Sequence, residues 1–480
     1  MGVRRINSSA SNSFQMAELA ELASKLRREH LFVDSEKREL QRLNERVHRT
    51  VERLQHVSWV WRHQRGALDA LILGRGPSMS GAACCRRVTA LEGASFVDSY
   101  RALGVHDGAY SAVLQGLRQD PRLVALCLAQ GPAASLQAVV DVLVTSVYGC
   151  GSLPADEALL LYLLQELMHL QLEGCDNVRR MLQHGSCAFS RVYKAFTEGM
   201  PGAHLFLTSA LRAPLIQVLV DDDLFLDIDP SKAVVRFPPE ERLRHFGPCD
   251  SSEYSQRLGT YRAWTLDRLV RLAQGFLDGL QASWHWFPPA LASLVRQLHS
   301  TLLRSAGGLE EGGAQAGAVC ADLVFAFFVC PAVVSPELAG LVDAHVSHIA
   351  RFNLMQVAQI LQVLAMAHWE RPDPRLSDLY DRFPRDCISS LLDMLLAGSP
   401  TDTSSQQQQP GELVRTGFLA TEGQLHTLVN FLHNVPWEGD SAQRKALESL
   451  LATLPTSPKK VQHKSKWHRT VKSINLVELS

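Results

Sequence analysis

Apolar residues recur along this chain three to four apart from Met16 onward, and no run alternates apolar with polar convincingly enough for a sheet. The pattern therefore predicts helices. Leu19, Leu22 and Leu26 share one face of the first. Asp34 or Ser35 reads as the N-cap of a second, longer helix. In it Leu40, Val47, Leu54 and Trp61 fall seven apart, with Leu43 and Val57 filling the seam between them. Arginines and glutamates alternate over its remaining surface, from Glu36 to Arg53. A glycine-rich stretch, Gly74 to Gly81, closes this N-terminal hairpin as a loop. Further helices are expected at 84–92, 107–118, 120–129, 132–148, 156–173, 176–183, 187–198, 203–221, 260–281, 288–305, 314–334, 350–368 and 385–396. Pro121, Pro132, Pro154 and Pro201 fall at their starts, where a missing N–H costs little. No repeat period is present, which argues against a solenoid.

The most apolar stretch is Ala321 to Glu337, ADLVFAFFVCPAVVSPE. A continuous apolar run has no period to read, so its flanks decide. An alanine-rich lead-in from Ala314 makes it the central buried helix, and Pro331 is expected to kink or end it. It is too short and interrupted for a bilayer span of about 20 residues. The loop Asp221–Pro230 is rich in aspartate, but it lacks the glycine and terminal glutamate of a calcium loop and reads as acidic and solvent-facing. Ser399 to Gly411, with its glutamine run, is a low-complexity linker. Two amphipathic helices follow, around 412–435 and 438–453, and then a basic polar tail.

The chain is thus expected to be all-α. Its organisation reads as a disordered 1–15, a helical extension over 16–82, a main domain over 83–398, the linker 399–411, C-terminal helices over 412–454 packing on the domain, and a disordered basic tail over 455–480. The formal net charge of −1 over 480 residues gives no global attraction to nucleic acid. Ten cysteines without a CxxC pair suggest buried reduced thiols, and no secretory signal opens the chain, so a cytoplasmic protein is expected. The N-terminal stripe over 34–61 is a candidate coiled-coil seam, and the basic tail a candidate for peripheral membrane contact.

Catalytic templates are missing: there is no GxxxxGK[ST], GxGxxG after a strand, HExxH or GxSxG. From the residues alone this is a helical scaffold or regulator with no autonomous catalytic site, cofactor or metal.

Three blocks carry a resemblance. Phe325-Ala-Phe-Phe-Val-Cys-Pro-Ala-Val-Val-Ser-Pro336 resembles the signature of RasGAP domains, roughly F-L-R-F-I-C-P-A-I-x-x-P. Asn353 to Ala365 (NLMQVAQILQVLA) resembles the family's second block, and Asn177 to Phe189 (NVRRMLQHGSCAF) its finger-loop block. From about Leu26 to Leu454 the chain is similar to Gapex-type endocytic regulators, which join a RasGAP domain to a C-terminal Rab exchange domain; that exchange domain is not within this sequence. The resemblance implies an all-α domain that binds a Ras-family GTPase in the GTP form, in endocytosis or signalling, on endosomal or plasma membrane. It also implies a finger arginine that stabilises charge on the transferring phosphoryl group, worth about 10³ to 10⁵ in rate, and a second arginine that braces the finger loop. This sequence departs at both: Gln183 stands at the finger position and Phe327 at the bracing position. Arg179 and Arg180, about one turn earlier, are the candidates for a relocated finger. Asn353, Gln359 and Gln362 are the expected GTPase contacts. The expected function is a GTPase regulator whose activity is weak or lost; the alternative is a non-catalytic helical scaffold for partner proteins or membrane.

Overall fold

The computed structural model describes residues 6–72, 97–98, 107–175, 177–220, 223–229, 232, 235, 237–249, 251–305, 310–398, 417–437, 442–454 and 474–478. They are predominantly helical, as the periodicity predicts, and divide into two units, Met1–His63 and Gln64–Ser480. The helix expected at 84–92 lies outside the described residues, as does the linker 399–411.

The first unit is one helix, Ile6–Ile72, whose last turns run into the second unit. No break falls at Asp34 or Ser35, contrary to the expected N-cap. The surrounding residues, Leu31 to Lys37, contain no glycine or proline, and aspartate or serine inside a helix costs well under ~1 kcal/mol. Helix also begins well before Met16, in the stretch expected to be disordered.

In the second unit the helices expected between 107 and 396 form, most with small shifts at their ends; the one expected at 260–281 starts eight residues earlier, at Ser252, and Pro239–Phe246 and the short Ser377–Tyr380 are additions. Pro201–Val220 lies along Ser252–Ser283, and Pro121–Gln130 along Pro154–Gln171. The first of these pairs approaches closely at Gly279, where an added Cβ would fall 2.1 Å from the Ala210 carbonyl oxygen. The two helices of the Asp107–Gln119 and Pro154–Gln171 segments are tied inside the core by Arg118 and Asp156, 2.5 Å apart with the Asp156 side chain fully buried.

The apolar run is the centre of this unit, as expected. Phe325 stacks on Trp284, and Phe328 meets Phe206 and Phe287. Pro331 does not end the helix. The segment Asp322–Val329 is wound as a π-helix, with the Cys330 N–H reaching back five residues to the Phe325 carbonyl, and α-helix resumes over Cys330–Val334. The wider turn changes the hydrogen-bond register just where proline lacks a donor, so the helix passes through. Gly313–Val334 is consequently long and apolar enough to cross a bilayer by length and composition, and 78% of an 18-residue window within it is buried inside the protein. Pro201–Val220 and His348–Met366 also meet those two criteria.

A small sheet was not expected. Val97–Asp98 and Gly417–Thr421 flank Ile474–Glu478, parallel and antiparallel respectively. Gly417–Thr421 takes the start of the helix anticipated at 412–435. That helix begins at Glu422 because Thr421 and Gln424 form a capping box, a T-x-x-Q start signal visible in the sequence. The strand Ile474–Glu478 falls in the stretch expected to be a disordered tail; the basic residues that set that expectation lie before it, and INLVE itself is apolar enough to pair.

Candidate functional site

The finger-loop block folds as a short helix, Val178–His184, hereafter the finger helix. The Asn177 side chain caps it by accepting from the Arg180 N–H. Gly185 ends it in the left-handed region, φ 60°, with its N–H on the Leu182 carbonyl. A glycine suits that conformation because it has no Cβ to clash. Val178 and Leu182 point into the core, which leaves Arg180, Gln183 and His184 exposed.

Arg179 is placed differently. Its Nε donates to the Asp322 carboxylate and its Nη1 to the Glu370 carboxylate. Asp322 opens the π-helical segment and is buried; Glu370 follows the His348–Met366 helix. One guanidinium thus joins all three motif-bearing segments. Burial pushes the Asp322 carboxyl up from its ordinary value, and Arg179 pulls it back down. The two carboxylates in turn raise Arg179 against the opposing effect of its own burial. The other Asp322 oxygen, Oδ1, has no hydrogen-bond partner among the described residues. A close approach supports Glu370: an added Cβ on Gly317 would fall 2.6 Å from the Trp369 ring, the residue just before it.

Phe327 is half-buried and packs against the core. The helix after the finger is fixed independently, by the buried Tyr193 hydroxyl donating to the Leu323 carbonyl at 3.0 Å. Arg351 holds the far end of the signature segment, donating to the Val334 carbonyl at 2.8 Å and to Glu337.

On His348–Met366 the expected GTPase contacts separate. Gln359 is exposed, Gln362 is half-buried, and Met355 is 48% exposed one turn from Gln359. These residues lie three to four apart on one face. Asn353 does not join them. It is fully buried, donating to the Leu224 carbonyl at 3.0 Å and accepting from the Leu226 N–H at 2.8 Å. Its amide is occupied in holding a loop, so it is no surface contact.

That loop is the described part of the acidic stretch; Asp223 and Leu224 are exposed, as expected, but the residues that follow turn inward. Leu226 and Ile228 are buried, as is Asp227. Gln356, one turn after Asn353, accepts from the Ile228 N–H at 2.9 Å, and Arg262 donates to the Ile228 carbonyl at 2.5 Å. Apolar residues at 226 and 228 carry the signal for this packing, which the run of aspartates conceals.

Six of the eight described cysteines are buried, and burial pushes Cys127, Cys320 and Cys330 up to about 12, so these are unreactive neutral thiols.

Comparison with known proteins agrees with this arrangement. The family described as GTPase-activator protein for Ras-like GTPase (RasGAP) matches residues 163–366, which contain the finger helix, the signature segment and the His348–Met366 helix. The human "GTPase-activating protein and VPS9 domain-containing protein 1" is 40% identical over 443 residues, covering 90% of this chain and 30% of that protein. "Receptor-mediated endocytosis protein 6 homolog" of Drosophila pseudoobscura pseudoobscura is 35% identical over 73% of this chain and 20% of its own length. "Receptor-mediated endocytosis protein 6" of Caenorhabditis elegans is 26% identical over 92% of this chain and 41% of its own. The chain spans well under half the length of these curated relatives.

Proposed function

Because residues 163–366 belong to the RasGAP family, we propose that this chain binds a Ras-family GTPase in its GTP form and lends it little catalytic charge. The observation that carries the reading is the neutral, exposed Gln183 at the finger position while the nearest preceding arginine but one, Arg179, is bound to two carboxylates. A finger works by placing a fixed positive charge against oxygens that gain negative charge as the phosphoryl group transfers. An amide has only a dipole to offer, and it cannot fork two charged hydrogen bonds as a guanidinium can.

Arg179 is a poor relocated finger, since freeing it would strand Asp322 as an unpaired buried charge. We read it as the brace. An arginine at the position of Phe327 would reach from the signature segment to the finger; here the reach runs the other way, from Arg179 on the finger helix to Asp322. The scaffold that aims a finger is kept although the finger is not. Arg180 is exposed, and among the described residues only its backbone N–H is engaged, by the cap, so its side chain stays available as an electrostatic contact.

The binding surface we propose is the exposed face of His348–Met366, with Gln359 and Gln362 facing the GTPase switch regions. A helix face of this kind can read the GTP form because the switch regions are ordered by the γ-phosphate. The names of the relatives link them to receptor-mediated endocytosis, and we place this chain in the same setting, cytoplasmic and peripheral to endosomal or plasma membrane.

The test is a pair of assays over a panel of Ras-like GTPases. Pull-down or calorimetry should find binding to at least one GTP-loaded form and much weaker binding to its GDP form, while single-turnover hydrolysis is accelerated less than tenfold. Full stimulation that disappears in Arg180→Ala would replace this reading with a relocated finger. No nucleotide-dependent binding to any GTPase would leave the scaffold reading in its place.

A further inference from the structure

The N-terminal helix presents an apolar stripe whose described side chains are largely exposed. Leu19, Leu26, Val33, Leu40, Val47, Leu54 and Trp61 occur at an unbroken seven-residue spacing, and each is 45–66% exposed. Leu22, Leu43 and Val57 add the intermediate positions and are 47–58% exposed. Trp59, which falls on the opposite side of the helix, does not belong to the stripe.

The spacing selects the kind of partner. On a straight helix a strict seven-residue repeat drifts by about 20° per heptad, so over six heptads the stripe turns through about 120°. A groove in a globular surface would lose contact with it. A second helix that supercoils with the first keeps contact throughout, over roughly 63 Å at 1.5 Å per residue.

The charges select which helix and which direction. In a parallel pair in register, Glu29 and Glu36 occupy seam positions and would each stack on their own copies. The flanking positions would then offer no opposite charges, since Lys25 would meet His30 and Phe32 would meet Lys37. An antiparallel pair can place Leu40 against Leu43 of the second copy, Leu26 against Val57 and Leu22 against Trp61. In that register Glu39 faces Arg46 of the second copy, and two-fold symmetry repeats the pair. Phe32 faces Arg53, while Glu29 and Glu36 meet Leu54 and Val47 instead of each other. Like charges meet at none of these positions, and the whole stripe lies within the overlap.

We propose that residues 19–61 form an antiparallel two-stranded coiled coil with a second copy of this chain. The surface is self-complementary in charge, and its seam is apolar except at Glu29, Glu36 and Thr50. Glu39 at present holds only an exposed contact to Arg42 at 3.7 Å, a weak pair that the new one can replace.

Sedimentation velocity on the full chain tests this. A dimer at micromolar concentration is expected, and Leu40→Asp/Val47→Asp, two exposed positions, should give a monomer with an unchanged melting curve for the globular unit. Glu39→Arg or Arg46→Glu alone should each weaken the dimer about tenfold, because two attractive pairs become repulsive. Mixing those two single variants should restore it, because only the heterodimer then pairs opposite charges at both contacts. A wild-type chain that stays monomeric at tens of micromolar overturns the proposal. So does a dimer indifferent to the single charge changes, or one that survives Leu40→Asp/Val47→Asp.

Discussion

The two ends of the finger helix lie one turn apart and follow opposite rules. At its root, Arg179 is held by a buried aspartate and a glutamate from two other segments. At its tip, Gln183 and His184 face solvent, and Gly185 ends the helix. The root is positioned by the fold, and the tip faces solvent. On the function proposed above, the block would keep its architecture while its chemistry changes at one position, because different residues carry the two.

The comparison breaks most severely at the root. Arg179→Ala should leave Asp322 buried with its charge unpaired and cost about 3 kcal/mol, the lower end for a buried pair because Arg179 is a quarter exposed. Chemical denaturation of the whole chain would show it, and Arg180→Ala, exposed on the same turn, should stay within about 0.5 kcal/mol of wild type. Equal effects of the two would mean the ionic connection holds nothing.

Asn353→Ala comes next. It removes the partners of the Leu224 carbonyl and the Leu226 N–H, so a loss of about 2 kcal/mol is expected, together with faster amide exchange over 224–228. Gln359→Ala, from the exposed face of the same helix, should leave stability within about 0.5 kcal/mol but weaken binding to the GTP-loaded GTPase. If Asn353→Ala weakened binding without unsettling the loop, the division of this helix into clamp and contact face would be wrong.

The sequence makes one part of this comparison readable and hides the other. Helical period locates the elements of the second unit because burial repeats with it, as Leu160, Leu163, Leu164 and Leu167 repeat on one helix. The blocks around Gln183 and Phe327 are legible as motifs. Partnership across long separations is not. Nothing local marks Arg179 as bound to residues 322 and 370, or Asn353 as bound to the backbone at 224 and 226. Side-chain type also misleads where context overrides it. The aspartates suggested solvent, which holds at Asp223, yet Leu226 and Ile228 pull Asp227 inward. Pro331 suggested a helix end, but a π-turn before it absorbs the missing donor. The break expected at Asp34 rested on a capping preference, which does not end a helix where no glycine or proline interrupts it.

The central claim is that the finger scaffold persists and only its charge is missing. Single-turnover GTP hydrolysis by a GTPase that binds this chain, measured with wild type and Gln183→Arg side by side, tests it most directly. Returning a guanidinium to an aimed tip should raise the rate by at least about 10², toward the range a finger arginine supplies, while Gln183→Lys, cationic but without the planar fork, gives much less. An unchanged rate in Gln183→Arg, with binding intact, would show that the tip is not aimed at the nucleotide and that the root network braces nothing catalytic.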